Sequence, residues 1–299
     1  MALLAVEHVT YGYTHNPVLQ DISVSFEPGM ITALLGPNGS GKTTLLKIIL
    51  GLYKPQGGQV MLEGKPVLSI SPKQLARRIA YVPQSHRLSF GYRALDVVMM
   101  GRIPHKPFFF RFDNKDEQTA LDALERLSIK HLKDRPYTKI SGGERQLVLI
   151  ARALTQGADI FIMDEPANGL DYGNQIRLLA CIADLAGNGY TFIKTTHFPD
   201  HALWISDRVV MIKQGKVIGD GQTADVINST SLYEAYNTHV DVMELRDGGR
   251  ICIPKALQPF KSNINREVKK HTDIREYVRI ARQIDNTGKI HRENTMPSI

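Results

Sequence analysis

The chain has 299 residues, 42% of them hydrophobic, and a formal net charge of +7 at neutral pH. This length suggests about two structural units with ample material for a buried core. The two cysteines, Cys181 and Cys252, exclude a disulfide framework and offer no metal-ligand spacing, as expected in a reducing compartment. The chain contains no apolar run of roughly eighteen residues that could span a membrane, and Glu7 interrupts its apolar start. We therefore expect a cytosolic protein, for which any membrane role requires a partner.

Strand patterns dominate the first part of the chain, and a helical pattern follows the first glycine-rich loop. Apolar residues alternate before residue 28, and an apolar run at 31–35 is typical of a buried strand. The predicted elements are strands over 2–27 broken by a turn at 15–17, a strand at 31–35, a helix over 43–52, a hairpin over 57–68 and a strand over 78–83.

The pattern changes at about residue 85, where a helical insertion of residues 86–158 is predicted. Strand patterns then return, so strands and helices alternate around the glycine-rich loop, which indicates a largely parallel α/β core. The predicted elements are helices near 96–101, over 116–127 and over 147–154, strands at 159–163 and 191–195, and hairpins at 209–217 and 241–253.

The glycine-rich loop after the buried strand matches the phosphate-loop pattern G-x-x-x-x-G-K-[ST]. Its glycines allow backbone N–H groups to converge on phosphate oxygens, and the following helix dipole adds positive potential. We expect Lys42 to reach the β- and γ-phosphates and Thr43 to ligate Mg²⁺. The nucleotide-binding residues predicted here are Gly36, Pro37, Asn38, Gly39, Ser40, Gly41, Lys42, Thr43 and Thr44.

Two adjacent carboxylates, Asp164 and Glu165, end the apolar strand Phe161–Met163. Side chains alternate along a strand, so the two acids should project differently. That arrangement suits one acid that holds Mg²⁺ and another that polarises an attacking water. Paired acids at strand ends are also commonly just solvated, but a phosphate loop in the same chain favours the functional interpretation.

A second glycine motif, Ser141-Gly142-Gly143, opens an apolar helix. Ser141 is a natural N-cap, and the exposed N–H groups of such a helix start can bind an anion. An ordinary capped helix would explain Ser141 but not two consecutive glycines, which cost helix stability. Together with the phosphate loop and the acidic strand end, this motif resembles the ATP-binding cassette (ABC) family, over roughly residues 3–230.

The resemblance implies a P-loop NTPase core with a mostly parallel sheet, an antiparallel β subdomain and a helical signature-motif subdomain, all within residues 1–254. It also implies ATP and Mg²⁺ as cofactors, with ATP bound between Lys42 of one copy and Ser141 and Gly143 of another. The resemblance implies that Tyr13 stacks on adenine, with Tyr11 as the alternative, and that Gln84 senses Mg²⁺ and the γ-phosphate. It also implies that Asp171 belongs to the D-loop. His197 would be the switch histidine, which holds the γ-phosphate and the attacking water.

The sequence departs from the usual family pattern at two places. Glu144 replaces the commoner glutamine of the signature motif, where a helix dipole favours an acid. Asn168-Gly169 replaces the commoner Ser-Ala at the D-loop, which puts the details of communication between copies in doubt.

Residues 94–105 and 170–175 are similar to the ATPase subunits of bacterial importers for iron-siderophore complexes, haem and cobalamin, a class that also includes molybdate carriers. This resemblance implies a homodimer on the cytoplasmic face of the inner membrane, two transmembrane permease subunits, an indirect extracytoplasmic binding protein and no nucleic acid. Residues 86–112 would then present an aromatic and basic surface to the permease, with His105, Lys106, Phe108, Phe109 and Phe110. Alternatively, these phenylalanines would form local core. A soluble cassette ATPase of the iron–sulfur assembly type and an exporter ATPase remain alternatives.

Residues 255–299 form a basic extension, with ten basic residues against five acidic ones. Apolar residues on one face predict an amphipathic helix over 273–284. The helix could pack on its own domain or on a second copy, or it could contact an anionic membrane surface.

Overall fold

The computed structural model describes residues 2–13, 16–84, 91–246 and 248–256. The chain divides into one compact unit, Met1–Ile253, and a second, Pro254–Ile299. The predicted helix over 273–284 therefore lies outside the described residues, as do residues 85–90 of the predicted helical insertion. Within the described residues, no helix combines the length and apolar character that crossing a membrane requires.

An antiparallel sheet forms the beginning of the described chain, with strand order β2-β1-β4-β5. Its long first pair runs from Leu4↔Phe26 to Tyr13↔Asn16, with register irregularities along the way. Alternating residues of these strands are buried, as the alternating sequence pattern predicts. The strands are β1 (Leu4–Tyr13), β2 (Asn16–Phe26), β4 (Gly57–Leu62) and β5 (Lys65–Pro66).

The central sheet of the described chain has the order β10-β9-β3-β8-β7-β6. Its strands pair in parallel except at the β9–β10 hairpin. The inner strands β3, β7 and β8 are fully buried. The sequences of β3 and β7 are almost entirely apolar, as expected for strands buried on both faces, whereas β8 also contains Lys194 and three threonines. The strands are β3 (Ile31–Leu35), β6 (Ile79–Val82), β7 (Ile160–Met163), β8 (Thr191–Thr196), β9 (Arg208–Lys213) and β10 (Lys216–Gln222). A further two-stranded sheet joins β11 (Val240–Glu244) and β12 (Arg250–Pro254).

The helices follow the strand ends and cover the central sheet. Residues of α3, α4 and α5 share one apolar cluster with β6 and β7, while α1 shares another with β3 and the antiparallel sheet. The helices are α1 (Lys42–Ile49), α2 (Pro72–Leu75), α3 (Ala94–Met99), α4 (Asn114–Arg126), α5 (Gly142–Thr155), α6 (Tyr172–Gly187), α7 (Pro199–Ile205), α8 (Thr223–Val226) and α9 (Ser229–Tyr236).

The predicted α/β class with a largely parallel sheet is confirmed, and the predicted elements that fall on described residues occur with shifted ends. The helix predicted over 43–52 ends at Ile49, and the one predicted from residue 147 already begins at Gly142. Parallel strands place their carboxyl ends at one edge of a sheet. The segments that follow β3, β6, β7 and β8 therefore meet at one edge.

Candidate nucleotide-binding site

The phosphate loop connects β3 to α1 and depends on glycine at defined positions. Gly39 and Gly41 have φ angles of 78° and 104°, and Gly41 is the N-cap of α1. A Cβ atom at Gly36 would lie 2.0 Å from the carbonyl oxygen of Ile212. The positive φ angles disfavour side chains at Gly39 and Gly41, and the close approach of Ile212 excludes one at Gly36. The loop therefore exposes backbone N–H groups where larger residues could not fit.

Lys42 lies inside this loop and is nearly fully buried. Its ammonium donates to the carbonyl oxygens of Gly36 at 2.7 Å and Pro37 at 2.9 Å. Burial lowers the pKa of Lys42, and the nearby carboxylates of Glu165 and Asp164 act in the opposite direction. The charge of Lys42 is thus directed at the mouth of the loop, where phosphate oxygens would be bound.

Asp164 follows β7 and is held by two threonine hydroxyls. The hydroxyls of Thr43 and Thr195 both donate to its Oδ1 atom, at 3.1 Å and 2.7 Å. The Thr195 hydroxyl in turn accepts the backbone N–H of Glu165 at 2.7 Å. Thr195 therefore fixes both acids. The sequence alone does not reveal this role, because Thr195 is distant from the acids in the chain and threonine is a common strand residue.

Glu165 adopts a left-handed backbone conformation with φ of 43°, which is uncommon for a residue with a side chain. Its Oε1 atom lies 3.1 Å from Nδ1 of His197. Its Oε2 atom accepts from Nε2 of Gln84 at 3.3 Å and from Nδ2 of Asn168 at 3.1 Å. The structure thus brings Gln84 and His197 to the Glu165 carboxylate and adds Asn168 as a third contact.

An open cleft of about 510 Å³ lies between these groups and the aromatic residue Tyr13. Tyr11 stacks on Tyr53 at 5.5 Å, whereas Tyr13 is half-exposed at the edge of the cleft. Of the two rival tyrosines, Tyr13 therefore has the exposed ring. The cleft is lined by Tyr13, Val18, Asn38, Gly39, Gly41, Lys42, Thr43, Thr44, Gln84, Glu165 and Asn168.

The groups in the cleft fit a nucleoside triphosphate with a divalent cation. The buried hydroxyl of Ser40, within the phosphate loop, makes no hydrogen bond to the described residues. In the described part of the chain there is no cluster of three or more acidic, histidine or cysteine residues that could bind a metal alone. A cation here would be held by oxygens of Thr43 and Asp164 together with phosphate oxygens or water, the environment that Mg²⁺ prefers.

Ser141 caps helix α5, and Glu144 completes the cap. The Ser141 hydroxyl accepts the backbone N–H of Glu144 at 3.2 Å, and the Glu144 carboxylate accepts the N–H of Ser141 at 2.7 Å. Hydrogen bonds from Ser141 lower the pKa of Glu144. The departure at Glu144 therefore forms a capping box.

The glycines of the same motif allow close packing, and neither lines the cleft of their own chain. A Cβ atom at Gly143 would lie 2.6 Å from the side chain of Asn174 on α6, while Gly142 is exposed. Asp171 caps α6 and accepts from the backbone N–H of Asn174 at 2.9 Å. The residues lining the cleft of Lys42 include none of Ser141, Gly142, Gly143 and Asp171.

The aromatic segment near residue 108 forms a surface feature. Phe108 and Phe109 are 91% and 89% exposed and pack edge to face, so they are not local core. The neighbouring Lys106 forms ion pairs with Asp113 and Asp116. Of the two interpretations left open by the sequence, the structure favours a surface available to a partner.

Comparison with known proteins places this geometry in a family. The ABC transporter family model matches residues 19–168. An uncharacterized ABC transporter ATP-binding protein of Haemophilus influenzae is 40% identical over 241 residues, covering 81% of this chain and 92% of that protein. The iron(3+)-hydroxamate import ATP-binding protein FhuC of Bacillus subtilis is 31% identical over 255 residues, covering 85% and 95%.

A solved structure has the same fold. An inward-facing metal-chelate type ABC transporter superposes with a TM-score of 0.76 at 30% identity, covering 85% of this chain and 97% of the other. These matches confirm the predicted resemblance to importer ATPase subunits. The chain belongs to the ABC transporter family and is one of its ATP-binding proteins, which hydrolyse ATP.

Proposed function

We propose that the protein is the ATPase subunit of an importer for a metal chelate, such as an iron-siderophore complex, haem or cobalamin. Support comes from the relative named for iron(3+)-hydroxamate import and from the metal-chelate type transporter of similar fold. The observation that carries the ATPase part of the proposal is the cleft lined by Lys42 and Glu165, with Asp164 bonded to Thr43 and His197 beside the Glu165 carboxylate. Its partners would be two permease subunits at the cytoplasmic face of the inner membrane, supplied by an extracytoplasmic binding protein.

In the proposed hydrolysis, Glu165 accepts a proton from a water molecule while the oxygen of that water attacks the γ-phosphorus of ATP. ADP leaves with the bridging oxygen. Gln84 and Asn168 hold one carboxylate oxygen by hydrogen bonds, while His197 lies beside the other. These contacts fix the orientation of the base, which favours proton transfer in the transition state. When bound, Mg²⁺ would neutralise phosphate charge, with Thr43 and Asp164 supplying its protein oxygens.

We further propose that each ATP is shared between two copies of the chain. The exposed, glycine-flanked start of α5 is free of the cleft in its own chain, and helix N-termini favour phosphate. Ser141 and Gly143 of one copy would then meet a nucleotide held by Lys42 of the other. Closure can do work only because ATP binds the closed pair better than the open one.

The shared site is tested with two substitutions of Ser141. Ser141→Arg introduces bulk, whereas Ser141→Asp retains an N-cap side chain but brings a negative charge toward phosphate. We expect the rate of phosphate release from ATP to fall at least about 100-fold in both variants. ATP binding to the isolated chain should stay within twofold of wild type. If Ser141→Asp hydrolyses ATP normally, Ser141 does not contact phosphate. If either variant loses binding and hydrolysis equally while monomeric, the motif acts within its own chain.

The transport role needs a separate measurement. We expect a tagged chain from native membranes to co-purify with two permease subunits. Cells that carry only the Glu165→Gln form should fail to accumulate radiolabelled ferric chelate. Normal uptake in those cells, together with purification free of any membrane protein, would instead favour a soluble cassette ATPase. Chelate loss from preloaded cells that depends on Glu165 would favour an exporter.

A further inference from the structure

Tyr236 contacts the nucleotide site from outside the central sheet. The strands β3 and β8 pair in parallel up to Leu35↔Thr196. Beyond this pair, Gly36 begins the phosphate loop and His197 begins the connection to α7. The phenolic hydroxyl of Tyr236 donates to the carbonyl oxygen of His197 at 3.3 Å, and the backbone of Gly36 is near enough to lower the pKa of the same hydroxyl. This hydroxyl therefore holds the His197 backbone beside the phosphate loop, just past the end of the β3–β8 pairing.

The position of this hydroxyl is fixed by the packing of α9. Leu232 and Ala235 of this helix are buried in a cluster with β3 and β9, and the ring of Tyr236 packs against the same cluster. The helix ends directly after Tyr236, at Asn237, which has a left-handed φ of 53°. Burial raises the pKa of Tyr236 well above its usual range, so the hydroxyl stays a donor at physiological pH.

The segment after His197 is also held from two other directions. The carboxylate of Asp200 accepts the backbone N–H of Cys252 on β12 at 2.8 Å. The ammonium of Lys194 donates to the carbonyl oxygen of His201 at 2.9 Å. These contacts restrain the start of α7, so Tyr236 supplies the restraint nearest to the histidine itself. The imidazole on that residue lies 3.1 Å from the Glu165 carboxylate.

We propose that Tyr236 is a positioning residue for ATP hydrolysis, which holds His197 against Glu165 by anchoring the His197 backbone to the end of α9. This inference rests on the roles proposed above for Glu165 and His197. It assigns a function to α9, whose residues do not line the cleft. The competing explanation is that the hydroxyl only stabilises the packing of α9.

Tyr236→Phe removes the hydroxyl and keeps the ring. The matched control is Tyr233→Phe, on the exposed side of the same helix, where the ring stacks on His239. A hydrogen bond of ordinary net strength corresponds to roughly a two- to tenfold change in rate. We expect Tyr236→Phe to lower kcat by that factor with KM for ATP within twofold, and Tyr233→Phe to change neither.

A spectroscopic measurement separates positioning from packing. The imidazole resonance of His197 can be assigned in histidine-labelled protein by its loss in His197→Gln. We expect Tyr236→Phe to shift that resonance while the resonance of the distant His131 stays in place. A lower kcat together with an unshifted His197 resonance would assign the hydroxyl to packing alone and overturn the inference, as would an unchanged kcat.

The outcome for His197 itself tests the underlying assignment. If His197→Gln hydrolyses ATP at the wild-type rate, the role proposed for His197 is wrong and the inference about Tyr236 fails with it. If His197→Gln is inactive and Tyr236→Phe is indistinguishable from wild type in both measurements, only the inference about Tyr236 fails.

Discussion

Replacing Glu165 by glutamine changes one carboxylate oxygen to an amide nitrogen and preserves the side-chain shape. In the wild-type protein one carboxylate oxygen accepts from Gln84 and Asn168, and the other lies beside His197. The new amide nitrogen must therefore either face two amide donors or point toward the imidazole. The variant loses the base and part of its surrounding hydrogen-bond network.

The two losses differ in size. Each hydrogen bond is worth about 1 kcal/mol net, so the stability cost is about 1–2 kcal/mol, or a few degrees in Tm. Loss of a general base costs about 10²–10⁴ in rate, equivalent to about 3–5 kcal/mol in activation free energy. We therefore expect Glu165→Gln to fold and bind ATP while kcat falls at least about 100-fold.

The assay combines phosphate release at saturating Mg-ATP with size-exclusion chromatography in the same buffer. If two copies share each ATP as proposed, the binding contacts survive in this variant while hydrolysis does not. We therefore expect the variant to accumulate as an ATP-bound dimer and wild type to form that dimer only transiently. Glu125→Gln, at an exposed acid paired with Lys130, is the matched control and should behave as wild type. A Glu165→Gln protein that turns over within tenfold of wild type, or stays monomeric with ATP bound, would refute the assigned role.

Two further predictions concern the buried lysine of β8 and the basic tail. Burial lowers the pKa of Lys194 from 10.5 to about 7, so between these values the unfolded chain binds more protons at this residue and its contribution to stability rises with pH. Lys194→Met should remove that contribution and raise the free energy of unfolding by a few kcal/mol near pH 6, measured by urea unfolding against wild type, with exposed Lys216→Met as control. A difference between wild type and variant that does not change with pH would contradict it. Deleting residues 257–299 should leave ATP binding within twofold, because the compact unit ends at Ile253; an insoluble or non-binding product would place the tail within the core.

Local sequence patterns were sufficient for the phosphate loop and for the acids at the end of β7. The loop needs glycine at positions of left-handed backbone or close approach, and these requirements are visible as Gly36, Gly39 and Gly41. The strand before the acids is a continuous apolar run because both its faces are buried. Such features depend on neighbouring residues in the chain, so a single sequence records them.

The contacts that orient the carboxylate were less accessible to sequence reasoning. In the sequence, Asn168 stands out only as a departure from the D-loop pattern, yet its amide donates to Glu165. Thr195 and Tyr236 contact the site across 30 or more residues of chain. A threonine in a strand and a tyrosine at a helix end carry no periodic signal for such contacts. Only the strand order of the sheet brings them to the same edge.

The sheet edge also explains how distant substitutions can alter catalysis without touching the nucleotide. Gln84, Glu165 and His197 follow β6, β7 and β8, so their spacing is set by the ladders between those strands. The β3–β8 ladder ends one residue before Gly36 and His197. The Tyr236 hydroxyl donates to the His197 carbonyl oxygen just past the end of that ladder. We therefore expect a change at Tyr236 to alter the position of His197 relative to Glu165, and a change at the exposed Tyr233 of the same helix to leave it unaltered.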